Sequence, residues 1–165
     1  SEDKKLTEIM YKNFVRNGAK LDKNDKDIIR SIDKELSTLS PNFGNNTLNA
    51  TNSFKLWLNE SDLDGLPDLS KEMAKAAAKE MGKSDKFLFT LHMPSYFPFM
   101  KFSSRRDLRE KMMKSFSTNC YGGKFDNSSN VKKIASLKHK RANVLGYGNF
   151  GRMFFTSFPV SVANS

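Results

Sequence analysis

The side chains best suited to metal or acid–base chemistry are few in this sequence. The chain has two histidines, His92 and His139, and neither has a second histidine four residues away. A hydrolytic zinc site of the H-E-x-x-H type needs two imidazoles one helical turn apart, with a glutamate between them to activate the bound water. The chain cannot build this site from its own histidines, and we expect it to bind no catalytic metal.

Cys120 is the single cysteine, so an internal disulfide is excluded. Its neighbours in "TNCYGG" include no histidine or carboxylate that would activate the thiol, which indicates an ordinary free thiol. The sequence also offers no defensible Ser/His/Asp order and no close carboxylate pair. We therefore predict no catalytic, cofactor-binding or metal-binding residue in this chain.

Two short motifs match ligand-binding patterns only in part. "GYGNFG" at 146–151 fits G-x-G-x-x-G, but it follows a helical pattern, whereas a dinucleotide loop follows a strand. "DKNDKD" at 22–27 lacks the glycine and the terminal glutamate of a calcium loop. We assign neither a ligand. The N-x-S/T sequons, which would matter only in a secreted eukaryotic chain, are at Asn45, Asn49, Asn59 and Asn127.

The charge balance is strongly basic, with 28 Lys and Arg against 18 Asp and Glu. Such a sum bears on solubility and on attraction to polyanions, not on fold. The densest basic stretch, 131–141, interleaves cations with apolar residues at helical spacing, which is typical of a solvated helix face. Specific nucleic-acid binding is therefore not our prediction. The alternative is a freestanding basic helical module that binds nucleic acid or an acidic partner through Lys132, Lys133, Lys138, Lys140 and Arg141.

No apolar run reaches the roughly 18–20 residues of a membrane helix. The first residues, "SEDKKLTE", are charged and lack the apolar centre of a signal peptide. We therefore expect a soluble, cytoplasmic chain without a membrane partner.

The elements that must position these residues are mainly helical. Apolar residues at three- and four-residue steps predict a first helix that ends near Gly18 and a second that is capped by Asp22 or Asn24. Pro41 is expected to end or kink the second helix, and Ser40 can cap a new one. The stripe of the first helix is Leu6, Ile9, Met10 and Phe14; the second has Ile28, Ile32, Leu36 and Leu39.

Alternation of apolar and polar residues predicts two short strands, 54–59 and 86–92, which can pair in an antiparallel sheet. Between them, a helix should run from Asp68 or Ser70 to Gly82. The last clear helix should run from about Ser128 to Leu145, with Gly146 just past its end. The fold class is therefore mainly α, a helical scaffold of about five to seven helices with one small antiparallel β pair.

The stretch 90–112 contains an unusually apolar corner, "MPSYFPFMKF". Pro94 should break the preceding strand, and Ser95 should cap a short helix that is apolar on nearly all sides and therefore buried. Ser104 with Asp107 three residues later resembles a capping box for the next helix. We interpret this corner as packing and not as a ligand site.

Several segments in this order resemble the thimet-oligopeptidase family, closest to its bacterial peptidyl-dipeptidase and oligopeptidase A branches. The resemblance covers about 11–150, and "PSYFPFM", "RDLRE" and "GGKFDN" favour the peptidyl-dipeptidase branch. The segments are "FVRNGAKL", "IDKELSTLSPNFGNNTLNATNSF", "DLDGLP", "PSYFPFMKFSSRRDLREKM", "GGKFDN" and "LKHKRANVLGYGNF".

The resemblance implies a zinc metallopeptidase that cleaves short peptides in a channel between two mainly helical halves. The family's zinc-binding H-E-x-x-H helix and its further glutamate lie C-terminal of the matched portion and have no counterpart here. Residues 1–150 would then be a helical scaffold upstream of the catalytic core, inactive alone, with zinc only in the full-length protein. Its partners would be the remaining parts of the peptidase, or a second copy bound through exposed apolar surface.

The last residues depart from this pattern. "GRMFFTSFPVSVANS", 151–165, does not resemble the acidic helical continuation of the family and forms an apolar tail. We expect a shifted reading frame, a truncated gene or an artificial boundary at this point. The apolar residues of the tail are Phe154, Phe155, Phe158 and Pro159.

Overall fold

A computed structural model of the chain describes residues 2–157. Within these residues there are seven α-helices and one antiparallel sheet of two strands, and the chain is 69% helical, which confirms the mainly α prediction. Phe158 and Pro159, two of the four apolar residues of the predicted tail, lie outside the described residues. The helices are α1 (Glu2–Arg16), α2 (Lys23–Ser53), α3 (Asp68–Glu80), α4 (Met93–Phe102), α5 (Arg106–Ser117), α6 (Ser128–Val144) and α7 (Phe150–Ser157); the strands are β1 (Leu56–Leu58) and β2 (Phe87–Phe89).

The chain divides into two compact units. The first contains the residues up to Asn42 and those from Ser129 onward, and the second is Phe43–Ser128. The unit boundary falls inside α2, directly after Pro41 and Asn42. The prediction of one scaffold segment, 1–150, followed by a divergent tail is not tested by this division and stays a prediction.

Three helices end at the glycines predicted to end them. At the end of α3, Gly82 has φ 75°, Lys83 N–H donates to the Ala78 carbonyl and Gly82 N–H donates to the Lys79 carbonyl. This pair of hydrogen bonds is the Schellman motif, which needs a left-handed residue that glycine adopts at low cost. The same pair of bonds ends α1 at Gly18 and α6 at Gly146.

Helix α2 begins as predicted, because the Asp22 carboxylate accepts a hydrogen bond of 2.8 Å from Asp25 N–H. Pro41 was expected to end or kink the helix, and it does not end it: α2 continues through Pro41 to Ser53. A kink at Pro41 stays a prediction. A proline in a helix removes one hydrogen bond, here the one to the Ser37 carbonyl, and crowds the preceding turn. The hydrogen bonds of the helical turns before and after Pro41 outweigh this local free-energy cost.

The core of the second unit surrounds the strand pair. Trp57 pairs with Leu88 in the middle of the register, and the strands are three residues long, shorter than predicted. The Phe89 and Phe99 ring centroids lie 4.8 Å apart, so α4 packs directly on β2. The buried cluster consists of Leu56, Leu58, Leu63, Leu66, Ala74, Phe87, Phe89, Leu91, Tyr96, Phe99 and Met112.

The apolar corner differs from the prediction at both of its caps. Helix α4 starts at Met93, with Pro94 in its first turn, because a proline costs nothing where the helical N–H has no partner. Ser95 therefore lies inside α4, and its hydroxyl accepts a 3.0 Å hydrogen bond from Thr90 N–H. No capping box forms at Ser104; α5 starts at Arg106 and Arg105 occupies the cap position.

The prediction that α4 is a buried helix was also wrong for one of its faces. Tyr96 and Phe99 are buried, but Phe97 is 61% exposed, and Met93 and Phe102 are also exposed. Composition reveals that a helix is apolar, but it does not reveal how many of its faces have a neighbour in the same chain. The outer face of α4 is therefore an exposed aromatic surface.

In the first unit, α1 has the predicted apolar stripe but no buried residue. Phe14 is 64% exposed, and Leu6, Ile9 and Met10 are exposed as well. Ile29 and Ile32 of α2 and Ala142 of α6 are buried instead. Among residues 2–157, no helix is both long enough and apolar enough to cross a membrane.

Candidate functional site

Among residues 2–157, neither unit by itself groups the chemistry-bearing side chains into a metal site. His92 lies exposed at the N-cap position of α4 in the second unit. His139 lies exposed on α6 in the first unit, with the Asn143 side chain 3.1 Å from its Nε2. Cys120 is half-buried in the loop after α5 and adopts φ 64°, an uncommon conformation for a residue with a side chain.

Zinc, which the family resemblance implies, does not fit the described residues. Nowhere in residues 2–157 do three or more histidine, cysteine, aspartate or glutamate side chains form a group that could hold a metal ion. A zinc site needs at least three protein ligands around one position. That the chain binds no catalytic metal stays a prediction.

The glycine motif at 146–151 is not a phosphate loop. Gly146 follows the end of α6, and α7 begins at Phe150. A dinucleotide fingerprint needs a strand before the first glycine, and here a helix precedes it. Its first glycine instead ends α6.

The basic residues of α6 are largely engaged within the first unit. Arg141 donates to Asp33 at 2.8 Å, and Lys133 forms an ion pair with Glu35. The Lys138 ammonium lies 4.9 Å from the centroid of the Phe150 ring. Lys132 and Lys140 remain exposed. Three of the five proposed nucleic-acid contacts thus have neighbours in their own unit.

What the structure does show is a corner fixed by close contacts in the second unit. The loop of 62–67 packs on the connection between α4 and α5, where Ser104 N–H donates to the Asp64 carbonyl at 2.9 Å. Gly65 has φ 80°, and a β-carbon there would lie 2.3 Å from the Phe102 carbonyl oxygen. Arg109 donates to the Ser103 carbonyl. Only a glycine permits this approach of two backbone segments.

Arg105 joins the two sides of this corner. Its guanidinium donates to Asp62 at 2.6 Å and to both carboxylate oxygens of Asp107 at 2.9 and 2.7 Å. Asp62 in turn accepts from Asn59 N–H at 3.1 Å at the start of the short 3₁₀ helix Glu60–Asp62. The hydrogen bond from Arg105 holds the pKa of Asp107 below its ordinary value.

The lowered pKa predicts an acid-sensitive contribution to stability. A carboxyl group with a lowered folded-state pKa stabilises the fold above its unfolded-state pKa, and this stabilisation is lost as the pH falls through the folded value. We expect Asp107→Asn to lower the free energy of unfolding at pH 7 and to lower it progressively less as the pH falls below about 4. Urea unfolding over a series of pH values measures this. Asp85→Asn, at an exposed carboxylate with no ion pair within residues 2–157, is the control; an equal effect of both variants contradicts the prediction.

A second fixed point of this unit is the loop after α5. Asn127 is 3% exposed, and its amide donates to the Phe43 carbonyl at 3.1 Å and accepts from Asn46 at 3.0 Å. Its N–H donates to the Cys120 carbonyl at 2.9 Å, which closes the loop. Asn127 is one of the predicted sequons, and its burial shows a structural role that the sequon pattern did not reveal. In the sequence, the feature that could have indicated this role is the position of Asn127 as the last residue of the family-like segment "GGKFDN".

Individual proteins of known family are similar to this chain, although no family model matches it. Oligopeptidase A of Escherichia coli is 34% identical over 98% of this chain, which corresponds to 24% of that protein. Dipeptidyl carboxypeptidase of Escherichia coli is 27% identical over 90% of the chain and 22% of its own length. The thimet-like oligopeptidase of Dictyostelium discoideum is 24% identical over 81% of the chain and 19% of its own length.

The higher identity to oligopeptidase A than to dipeptidyl carboxypeptidase favours the oligopeptidase A branch over the one suggested by "GGKFDN". In all three cases, the chain spans a quarter or less of the relative. Because the similarity extends over four-fifths or more of its residues, the chain belongs to the thimet-oligopeptidase family, of which it represents one helical stretch.

Proposed function

We propose that this chain is a non-catalytic scaffold segment of an oligopeptidase A-like zinc metallopeptidase, and that it contributes to peptide hydrolysis only together with the rest of such a peptidase. The observation that carries the proposal is the 34% identity of nearly the whole chain to 24% of oligopeptidase A. In the complete protein the substrates would be short peptides, the zinc would be held outside this chain, and the compartment would be the cytoplasm.

The exposed stripe of α1 supports this role. All four of its large apolar residues are exposed, and an apolar helix face of this kind normally has a packing partner. In a peptidase about four times as long as the chain, other helices can supply that partner. We propose that parts of the peptidase beyond this chain cover α1.

The charges beside the stripe bear on the alternative partner, a second copy of the chain. On a helical wheel, Lys5, Lys12 and Arg16 lie along one flank of the apolar stripe of α1. Lys12 is paired with Glu8 in its own helix, so Lys5 and Arg16 are the cations of this flank that would oppose the pairing of two antiparallel α1 helices. A partner helix with an acidic flank fits better, so we place self-association second.

A freestanding nucleic-acid module is the other alternative. Three of its five cations would have to leave Glu35, Asp33 and the Phe150 ring in order to meet phosphates. No contact in the structure favours this function. It stays an untested prediction. Such a module would bind nucleic acid with an affinity that falls steeply with added salt.

The scaffold role predicts a result in a two-chain experiment. Escherichia coli oligopeptidase A that lacks the segment matched here should be inactive alone, and this chain alone should not cleave a quenched peptide. Co-expression of the two should restore cleavage that a zinc chelator abolishes. Chelator-sensitive cleavage by the purified chain alone, or full activity of the shortened peptidase without it, would contradict the proposal.

Two variants of α1 test whether its apolar stripe makes the contact between the two chains. Phe14→Asp should weaken the association of the two chains by roughly tenfold or more, because it removes a large apolar contact. Lys4→Asp, on the opposite face of α1, should leave the association nearly unchanged. Co-purification at several concentrations measures both. Equal behaviour of the two variants would show that the stripe is not the contact.

A further inference from the structure

The C-terminal part of α2, residues 43–53, has a composition that does not favour a helix. Eight of its eleven residues are asparagine, threonine, serine or glycine, which are poor helix formers, and Pro41 precedes them. The stretch 36–54 contains no charged residue that could form an ion pair between successive turns, and the last turn carries no cation for the helix dipole. An isolated helix of this length would be marginal even with good helix formers.

Burial does not supply the missing stability. None of the residues 43–53 is buried, and Phe43 and Leu48 are exposed. The buried cluster around the strand pair includes no residue of this stretch. The first part of α2 differs, because Ile29 and Ile32 are buried there. A helix without buried apolar side chains must be stabilised by other contacts, or it opens readily.

The contacts that stabilise this stretch are polar and come from the loop after α5. Asn119 donates to the Thr51 hydroxyl at 2.9 Å. The side chain of Asn127 donates to the Phe43 carbonyl at 3.1 Å and accepts from Asn46 at 3.0 Å. Hydrogen bonds from one loop thus take the place that a hydrophobic core has for other helices. The half-buried residues of the stretch form one stripe of the helix: Asn46, Thr47, Ala50 and Thr51.

Pro41 separates this stretch from the rest of α2. It has no N–H to donate to the Ser37 carbonyl, so the helical hydrogen-bond ladder is interrupted next to the point where the chain passes from the first unit into the second. Before the proline, buried side chains and a capped first turn stabilise the helix. Unwinding of 43–53 would therefore leave 23–40 helical.

We propose that 43–53 is a conditional helix, which stays helical while the loop of 118–127 is docked on it and opens locally when the loop leaves. Helices α3, α4 and α5 and the strand pair remain folded during this opening, because their buried cluster does not include the stretch. A partner that displaces the loop would thereby convert the C-terminal part of α2 from helix to coil. The inference does not depend on the scaffold role, since every contact that it uses lies within this chain.

Hydrogen exchange of the whole chain, measured by mass spectrometry, tests the proposal. The amides of 43–53 should have protection factors at least about tenfold below those of α3. Urea at concentrations below the unfolding transition should leave the protection of 43–53 nearly unchanged, because a local opening exposes little surface. The same urea should lower the protection of α3 steeply, because α3 opens only when the second unit unfolds.

Two neighbouring asparagines give variants with opposite expected effects. Asn45 is exposed, so Asn45→Ala should only improve the helix and raise the protection of 43–53 about threefold. Asn46→Ala removes the hydrogen bond to Asn127 and should lower this protection about fivefold, although alanine is the better helix former. Asn119→Ala, which removes the other attachment of the loop, should lower it by about the same factor.

Phe99→Leu is the control in the core. Phe99 is fully buried against Phe89, so this variant should lower the protection of α3 about tenfold and leave that of 43–53 unchanged. The proposal is overturned if 43–53 and α3 are equally protected, or if urea lowers their protection in parallel. It is also overturned if Asn45→Ala and Asn46→Ala act in the same direction, or if Phe99→Leu lowers the protection of both segments equally. None of these outcomes depends on the two-chain experiment.

Discussion

Replacing Gly65 by alanine should destabilise the second unit by at least about 3 kcal/mol. The new β-carbon would lie 2.3 Å from the Phe102 carbonyl oxygen, 2.6 Å from the Ser104 hydroxyl and 3.0 Å from Ser104 N. Two of these three atoms belong to the backbone, so a side-chain rotation cannot relieve the overlap. The loop of 62–67 would have to separate from the connection between α4 and α5, and the Ser104 to Asp64 hydrogen bond would be lost.

Gly82→Ala is the matched control for this change. Gly82 has almost the same φ, 75° against 80°, but no atom lies within 4 Å of the β-carbon position. Its cost should be that of the left-handed conformation alone, about 1–2 kcal/mol. Urea unfolding of the three proteins separates the two effects. If the free energy of unfolding falls equally in both variants, the close backbone approach at Gly65 adds nothing to the cost of the substitution.

Asn127→Asp should have the second large effect, a loss of about 3 kcal/mol or more at neutral pH. The change keeps the size of the side chain, but the carboxylate cannot donate to the Phe43 carbonyl at 3.1 Å and places a charge at a position that is 3% exposed. The loop of 118–127 would lose its attachment to α2.

Asn49→Asp provides the comparison, since Asn49 is an exposed sequon on the same helix, α2. Its effect should be within about 0.5 kcal/mol. Thermal and urea unfolding measure both variants, and the reactivity of Cys120 reports whether the loop has opened. A stable Asn127→Asp protein with an unreactive thiol would contradict the prediction.

The features that sequence reasoning predicted correctly have local causes. Gly18, Gly82 and Gly146 end their helices because a left-handed residue after a helix is a property of a few neighbouring atoms. Each strand could be recognised from its own alternation of apolar and polar residues, although the two strands pair across the intervening helix α3. The family could be recognised because the order and spacing of several segments are specific even where each segment is not.

The predictions that failed depend on what surrounds an element. Pro41 does not end α2, because the hydrogen bonds of the helical turns before and after it outweigh the free-energy cost of the one that is missing. Phe97 and Phe14 are exposed although they belong to apolar stripes, because the sequence does not reveal whether a stripe has a partner within the chain. Gly65 and Asn127 were missed for the same reason, since their contacts join segments that are distant in sequence.

Pro41 has a consequence for any polypeptide that covers this side of α2. The carbonyl of Ser37 cannot receive the usual donor from residue 41, and Ser37 is exposed, so water can satisfy that oxygen in the isolated chain. A covering surface made only of hydrocarbon would displace this water and leave the Ser37 carbonyl oxygen buried without a hydrogen bond. A surface that covered this side of α2 would have to carry an amide, hydroxyl or ammonium group at that position to replace the water.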